Sequence, residues 1–307
     1  LKESKMTEAY KLGDDILEVE NVSLELGGKL ILRDINIKIQ DVIRPNVTTG
    51  QIIGFLGPSG RGKTQLFKIL SGLNKPTSGT VKLGTDKKIV QAGDVGVVAQ
   101  NYPLFEYMTV YGNLEYVCRI AEDEIQKAWF AANPGKEYKK GFFDFIKKKT
   151  TINSIKKEKI EFYLDRFKMT EHKDKYPALL SGGQRQRVAI IQQMLCSEYF
   201  ILMDEPFSGL DPLMTTQVCQ MIETVANLNE KNTIIVVSHD IPSTIAIAQY
   251  VWLLGYDYDE NKKPIPGARI KYMENLMDRG LAWKPDLVNT PEFFSFVKDV
   301  RNTFNEL

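Results

Sequence analysis

Net charge is nearly absent from this sequence of 307 residues, in which 40 basic side chains stand against 39 acidic ones. A chain without a global positive field lacks the electrostatic footprint of nucleic-acid binding, so no nucleic acid is expected as a partner. Cysteine is scarce: Cys118, Cys196 and Cys219 lie far apart with no paired spacing. That argues against a disulfide framework or a zinc site and leaves a reducing, cytosolic compartment as the default. Long apolar runs are missing as well. No stretch approaches the ~18 residues that suggest a membrane span. The opening Leu1–Lys5 mixes charges and leads into no apolar segment, so no secretory leader is expected there. Work at a membrane would then proceed from its cytosolic side, through partners.

What is present is an ordinary globular composition, 43% hydrophobic and 26% charged, in a chain long enough to bury a real core. Residues 1–15 are polar and read as a loose lead-in. From Ile16 to Ile39 apolar residues alternate, broken at Gly27-Gly28, which predicts antiparallel strands with one wet face. Asp41–Gly50 reads as an inserted loop. Three compact apolar runs follow at Ile52–Leu56, Phe200–Met203 and Thr233–Val237. Each leads through polar residues into a helix-like segment, as after Asp211-Pro212, an N-cap followed by proline. Alternating buried strands and helices predict an α/β core with a mainly parallel sheet, whose ligands bind at the carboxyl ends of its strands.

Between Gln100 and Ser181 the pattern turns mostly helical. Residues 136–159 carry nine lysines against three acids, which reads as a solvated helical face, with contact to acidic lipid head groups as the sharper alternative. Gly255–Gly267 reads as a polar turn region. A last helix is expected from Thr290-Pro291, with Phe293, Phe296, Val297, Val300 and Phe304 as an apolar stripe that packs into a core.

Chemistry concentrates in a few places. Gly57-Pro58-Ser59-Gly60-Arg61-Gly62-Lys63-Thr64 matches the phosphate-loop pattern and sits between a buried strand and a helix. Glycines let the backbone curl so that N–H groups face phosphate oxygens, backed by the helix dipole. Lys63 supplies charge for the β- and γ-phosphates of ATP, and the Thr64 hydroxyl a ligand for Mg²⁺. The run Phe200–Met203 ends in Asp204 and Glu205, placing one carboxylate to hold Mg²⁺ and one to polarise an attacking water. Leu180-Ser181-Gly182-Gly183-Gln184 opens a further helix and offers a second anion site, made of a hydroxyl and free N–H groups. One chain thus has two phosphate-binding motifs but one set of carboxylates.

At Leu180–Gln184 the chain resembles the ATP-binding cassette (ABC) ATPases, whose signature is LSGGQ, and the resemblance spans about residues 16–255. It implies a P-loop, RecA-like α/β core with an N-terminal antiparallel β subdomain and an inserted helical subdomain at about 101–190. Residues 256–307 would be a C-terminal extension with a terminal helix. The family pattern matches Gln100 to a glutamine loop that touches Mg²⁺ and the water. It matches Ser208–Asp211 to a loop linking two active sites, and His239 to a switch histidine at the γ-phosphate. His172 receives no role. In the family the signature of one subunit closes over the nucleotide of the other. The resemblance therefore implies a head-to-tail dimer, homo- or heteromeric, docked on integral-membrane permease subunits at the inner face of the membrane and powering transport. The alternative is a non-transport ABC ATPase serving a cytosolic machine. Segments 102–113 and 176–187 resemble importer subunits, and the tail from Ile265 to Phe304 is similar to the nitrate, sulfonate and taurine branch. One departure stands out: the adenine-stacking aromatic of many members falls near Leu26, which is not aromatic, and Tyr10 or another ring is the alternative cover for the base.

Overall fold

The computed structural model describes residues 10–121, 142–197 and 200–307, with the side chains of 142–151 and 305 left aside. In chain order its elements begin with β1 (Lys11–Leu26), β2 (Lys29–Ile43), β3 (Gln51–Leu56), α1 (Lys63–Leu70), β4 (Ser78–Leu83), β5 (Lys88–Ile89) and β6 (Gly96–Val98). There follow α2 (Val110–Ile120), α3 (Phe142–Arg166), α4 (Gly182–Cys196), β7 (Phe200–Asp204), α5 (Pro212–Ala226) and β8 (Thr233–Ser238). The chain closes with α6 (Ile241–Ile247), β9 (Tyr250–Tyr258), β10 (Pro264–Asn275) and α7 (Pro291–Asn305). Two compact units result, one of Leu1–Gln100 with Glu198–Leu307, the other of Asn101–Ser197.

The described strands of the first unit form one sheet in the order β5-β4-β1-β2-β10-β9-β3-β8-β7-β6. Every residue of β3 and of β8 is buried, and such continuous apolar strands belong at the centre of a parallel sheet. Accordingly β3 runs parallel to both β8 and β9, and β7 parallel to both β8 and β6. At the other end β1, β2 and β4 pair antiparallel. Gly27 (φ 56°) and Gly28 (φ 73°) form a two-residue turn with both residues left-handed, the geometry that matches strand twist. This pairs Leu26 with Lys29 and fixes the hairpin register. The mixed α/β architecture, with its antiparallel N-terminal strands, is the one expected.

Three boundaries differ from the sequence reading. The lead-in is already strand from Lys11, where Asp15 pairs with Lys38 at 3.0 Å. Asp41–Ile43 belong to β2, which shortens the irregular piece to 44–50. The polar stretch 255–267 is mostly hairpin, β9 against β10. Its charges are compatible with a strand because Arg33, Arg269 and Lys271 all pair with Asp257. Only the turn is irregular, and there the Asp259 side chain accepts from the N–H groups of Asn261 and Lys263. The final helix forms as expected: Thr290 accepts from Phe293 N at 3.3 Å. Its stripe packs with Leu56, Ile241, Ile245 and Val251 in a buried cluster.

In the second unit, Asn113 of α2 is fully buried. Its amide donates to the carbonyls of Phe105 (3.1 Å), Met108 (3.2 Å) and Thr109 (3.0 Å), and its oxygen accepts from Phe105 N at 2.8 Å. The lysine-rich stretch 136–159 lies partly outside the described residues. Within its described part Lys156 is buried, on the α3 face that carries Ile152, Ile160 and Leu164, so the solvated reading fails at that position. Lysine's long apolar stem suits such a stripe.

Asn113→Ala would remove a hydrogen bond from four backbone groups and leave Phe105 N and Met108 O unpaired, since Thr109 O and Phe105 O keep the N–H groups of Asn113 and Met108. We expect a loss of about 2–4 kcal/mol in urea unfolding, since each buried polar group left unpaired costs on the order of 1–3 kcal/mol and some are rescued by water. A change in midpoint equivalent to less than about 0.5 kcal/mol would show that the network is not structural.

Candidate phosphate-binding site

Parallel registry decides which residues can meet. Leu56 of β3 stands opposite Ser238 of β8, and Asp204 of β7 opposite Val237. The residues immediately after three strands, Gly57, Glu205 and His239, therefore emerge along one sheet edge. Val98 of β6 pairs with Met203, so Gln100, two residues beyond β6, leaves the same edge and is exposed.

The loop after β3 curls into α1. Gly62 (φ 87°) precedes the helix in the left-handed region, and no side chain caps that helix end. A Cβ at Gly62 would lie 3.0 Å from Leu32 and 3.2 Å from Ile31, so both dihedral and space call for glycine. Arg61 stacks its guanidinium 4.5 Å from the Tyr256 ring centroid, tying the loop's outer side to β9. Between loop and sheet edge lies a cavity of about 410 Å³ lined by Ile31, Ser59, Gly60, Gly62, Lys63, Thr64, Gln65 and Glu205. Ile31 and Gln65 lie outside the sequence motifs. Ile31 lies on β2, near the β1–β2 turn, and no motif marks it.

Lys63 is buried, and its ammonium donates to Gly57 O (2.6 Å) and Pro58 O (3.2 Å) while standing 3.9 Å from Glu205 Oε1. Burial lowers its pKa from the ordinary lysine value, opposed by the charges of Glu205 and Asp204. Asp204 moves the other way: burial raises its pKa, and the neighbouring Glu205 adds to the rise. Two close carboxylates at a partly desolvated edge thus meet Lys63, with Lys68 acting more weakly on Asp204, a set with capacity for further positive charge. Oxygen donors of this kind suit Mg²⁺, and the half-buried Asp204 and the exposed residue Thr64 both carry such donors.

Glu205 is held from several sides. Its N–H donates to Val237 O at 2.8 Å. One carboxylate oxygen accepts from His239 Nδ1 (2.7 Å), His239 N (3.3 Å) and Ser238 Oγ (3.3 Å). Its backbone sits at φ 49°, a left-handed conformation that costs a residue with a Cβ on the order of 1 kcal/mol and that clusters at functional sites. A carboxylate oriented by an imidazole can take a proton from a water placed before it. Lys63, Glu205 and His239 are therefore brought together, with Asp204 adjacent.

Asp211 caps α5, accepting from Leu213 N (2.9 Å) and Met214 N (3.0 Å). In the second unit, Ser181 caps α4. Its hydroxyl accepts from Gln184 N at 3.3 Å, and Gln184 Oε1 accepts from Ser181 N at 2.9 Å, a reciprocal capping box. Gly182 and Gly183 border open space, which leaves the helix N-terminus approachable by an anion. Leu26 is exposed beside the hairpin turn. Tyr10 is at the far end of that hairpin, donating to Asp278 Oδ1 at 2.6 Å and packing edge-on against Trp283, so it is not the missing ring.

The family model described as "ABC transporter" matches residues 41–208. The chain is 32% identical over 240 residues to the probable sulfate/thiosulfate import ATP-binding protein CysA of Chlorella vulgaris, covering 77% of this chain and 86% of that protein. It is 30% identical over 240 residues to CysA of Escherichia coli K12 and 29% identical over 238 residues to CysA 2 of Rhizobium meliloti; each match covers 76% of this chain and 56% of the relative. The chain thus spans little more than half the length of those two bacterial proteins. Among solved structures, CbiO1 of Clostridium perfringens, part of the ABC transporter complex CbiONQ, aligns with TM-score 0.63 and 22% identity over 87% of this chain and 91% of that one. A nucleotide-free ATP-binding cassette from an ABC transporter aligns with TM-score 0.58 and 20% identity, over 90% and 98%.

Electrostatics at Lys63 yields a pH prediction. The charge of Glu205 props up a lysine that burial pulls down. In Glu205→Gln that support is gone, so Lys63 loses its proton at lower pH than in the parent. The alkaline limb of polyphosphate affinity, followed by titration from about pH 7 to about pH 10, should move toward neutrality. Coincident alkaline limbs would show that Lys63 does not feel Glu205.

Proposed function

The chain belongs to the ABC transporter family, and on that premise we propose that it binds and hydrolyses ATP to power an importer. The observation that carries this reading is the joint placement of a glycine-curled loop, a buried lysine and an imidazole-held carboxylate on one sheet edge. ATP lays its phosphates against the N–H groups of Gly57–Thr64, and Lys63 faces the β- and γ-phosphates. Glu205 accepts the proton of the attacking water, and His239 both orients Glu205 and contacts the γ-phosphate. Thr64, Asp204 and Gln100 would hold Mg²⁺, which when bound neutralises charge on the β- and γ-oxygens.

Ser181, Gly182, Gly183 and Gln184 make an anion site without carboxylates of its own. We assign it to the nucleotide of a second ABC ATPase subunit, identical or not, in a head-to-tail dimer with two ATPs, where Asp211 helps link the sites. Among the described residues no helix is long and apolar enough to cross a membrane. Docking on integral-membrane permease subunits, at the inner face of the cell membrane, supplies the path for solute. The relatives named for import, sulfate/thiosulfate among them, support the direction of transport.

In Glu205→Gln the amide keeps the shape but takes no proton. Turnover should fall by at least about a hundredfold while ATP binding persists, the scale of a lost general base, and an ATP-bound dimer should accumulate. Size-exclusion with and without ATP, on chain co-purified with its membrane partner, checks it. A variant with full turnover would remove Glu205 from the chemistry.

Leu26 offers the adenine base a partly exposed apolar surface but no π-face. Base-on-aromatic stacking gains about 1–3 kcal/mol over alanine in nucleic-acid complexes. Leu26→Tyr should therefore tighten ATP and ADP alike, by a factor of about 5, or roughly 1 kcal/mol. Calorimetric titration with both nucleotides decides the matter, and no gain for either means that the base lies elsewhere.

A further inference from the structure

His172 is used by no motif and by no step proposed above, yet its ring nitrogen Nε2 lies 2.9 Å from Gln184 Nε2. Hydrogen-bond polarity makes this contact informative. The backbone N–H of Ser181 can only donate, so the Gln184 atom 2.9 Å from it must be the carbonyl oxygen. That fixes the amide nitrogen toward His172. An NH₂ group can only donate as well, so His172 Nε2 must present its lone pair, and the ring proton sits on Nδ1. Nδ1 is buried and has no hydrogen-bond partner among the described residues. The Gln184 contact is then the ring's polar anchor, and the backbone on either side is pinned by His172 N to Met169 O (2.9 Å) and Lys175 N to His172 O (3.0 Å).

We propose that His172 is a positioning residue for the turn Ser181–Gln184, holding the Gln184 amide in the one orientation that keeps the capping box closed. The proposal rests on the reading of that turn as an anion site given above. Were the amide to turn over, its NH₂ would face the Ser181 N–H, donor against donor, and one of the two reciprocal bonds would be lost. Two glycines without side chains stand between Ser181 and Gln184, so the turn's geometry depends heavily on this pair. Charged groups on the neighbouring segments include Glu171, Lys173, Asp174 and Lys175 beside the histidine, Arg185 and Arg187 on α4, and Glu106. Arg185 pairs with Glu106 at 3.2 Å, and Arg187 donates to Phe167 O at 3.3 Å. The assignment therefore follows from the donor and acceptor roles of Ser181, Gln184 and the ring alone.

The chain has only two histidines, which makes the test direct. Imidazole ¹⁵N spectra of the full chain, with His239→Ala to assign the signals, should show His172 protonated on Nδ1. Gln184→Ala should release it to the Nε2–H form that free imidazole side chains favour. A wild-type ring protonated on Nε2 would overturn the proposal whatever the kinetics. In ATP turnover, His172→Leu should fall by about fivefold, the scale of one hydrogen bond. His172→Gln, whose side-chain oxygen can reach the same point, should stay within about twofold of wild type. Equal losses in the two variants, or none in His172→Leu, would reduce His172 to packing. A wild-type chain without ATP turnover would instead count against the proposed function, and the spectra would still decide the role of His172.

Discussion

The parallel pairing of β3, β7 and β8 is the constraint on which the first unit's chemistry depends. A strand buried on both faces has no wet side to turn outward, so its apolar run and its neighbours' runs settle into one register. That register brings Gly57, Glu205 and His239 out side by side, though they are far apart in the chain. The charges then arrange themselves around a shortage of water. Lys63 is pulled down by burial and held up by two carboxylates, while Asp204 is pushed up by burial and by Glu205. Neither is at ease, and the proposed phosphate with a divalent ion would relieve both.

Much of this is legible in the sequence. Apolar runs of four or five residues announce the central strands, because burial on both faces disfavours polar side chains. The glycine-rich loop was legible because its chemistry demands residue types at fixed spacing. The β9–β10 hairpin was not. Its Asp257, Asp259, Lys262 and Lys263 look like turn residues in a linear reading, and only the cross-strand pairing reveals that Asp257 is neutralised by Arg269 and Lys271. Lys156 misled for a similar reason, since its charge hides a stem that lies on an apolar stripe.

Within the candidate site, sequence marked Lys63, Asp204, Glu205 and His239, and the fold gathers Lys63, Glu205 and His239 into one hydrogen-bonded and ion-paired set. Ile31 was missed because a hairpin residue announces nothing of what faces it. His172 was passed over because its meaning lies in the direction of a proton, and spacing along a chain says nothing about which nitrogen carries it.

The left-handed backbone at Glu205 has a genetic consequence. Every glutamate codon is one base from a glycine codon, and glycine is the residue most at home at φ 49°. It is also one base from a valine codon, whose branched side chain fits that dihedral worst. A lineage selected for folding alone would drift here toward glycine, and on the proposed mechanism toward a cassette that assembles but does not turn over. A glutamate at this dihedral is thus what the proposed reaction would ask for and what the backbone alone would not choose.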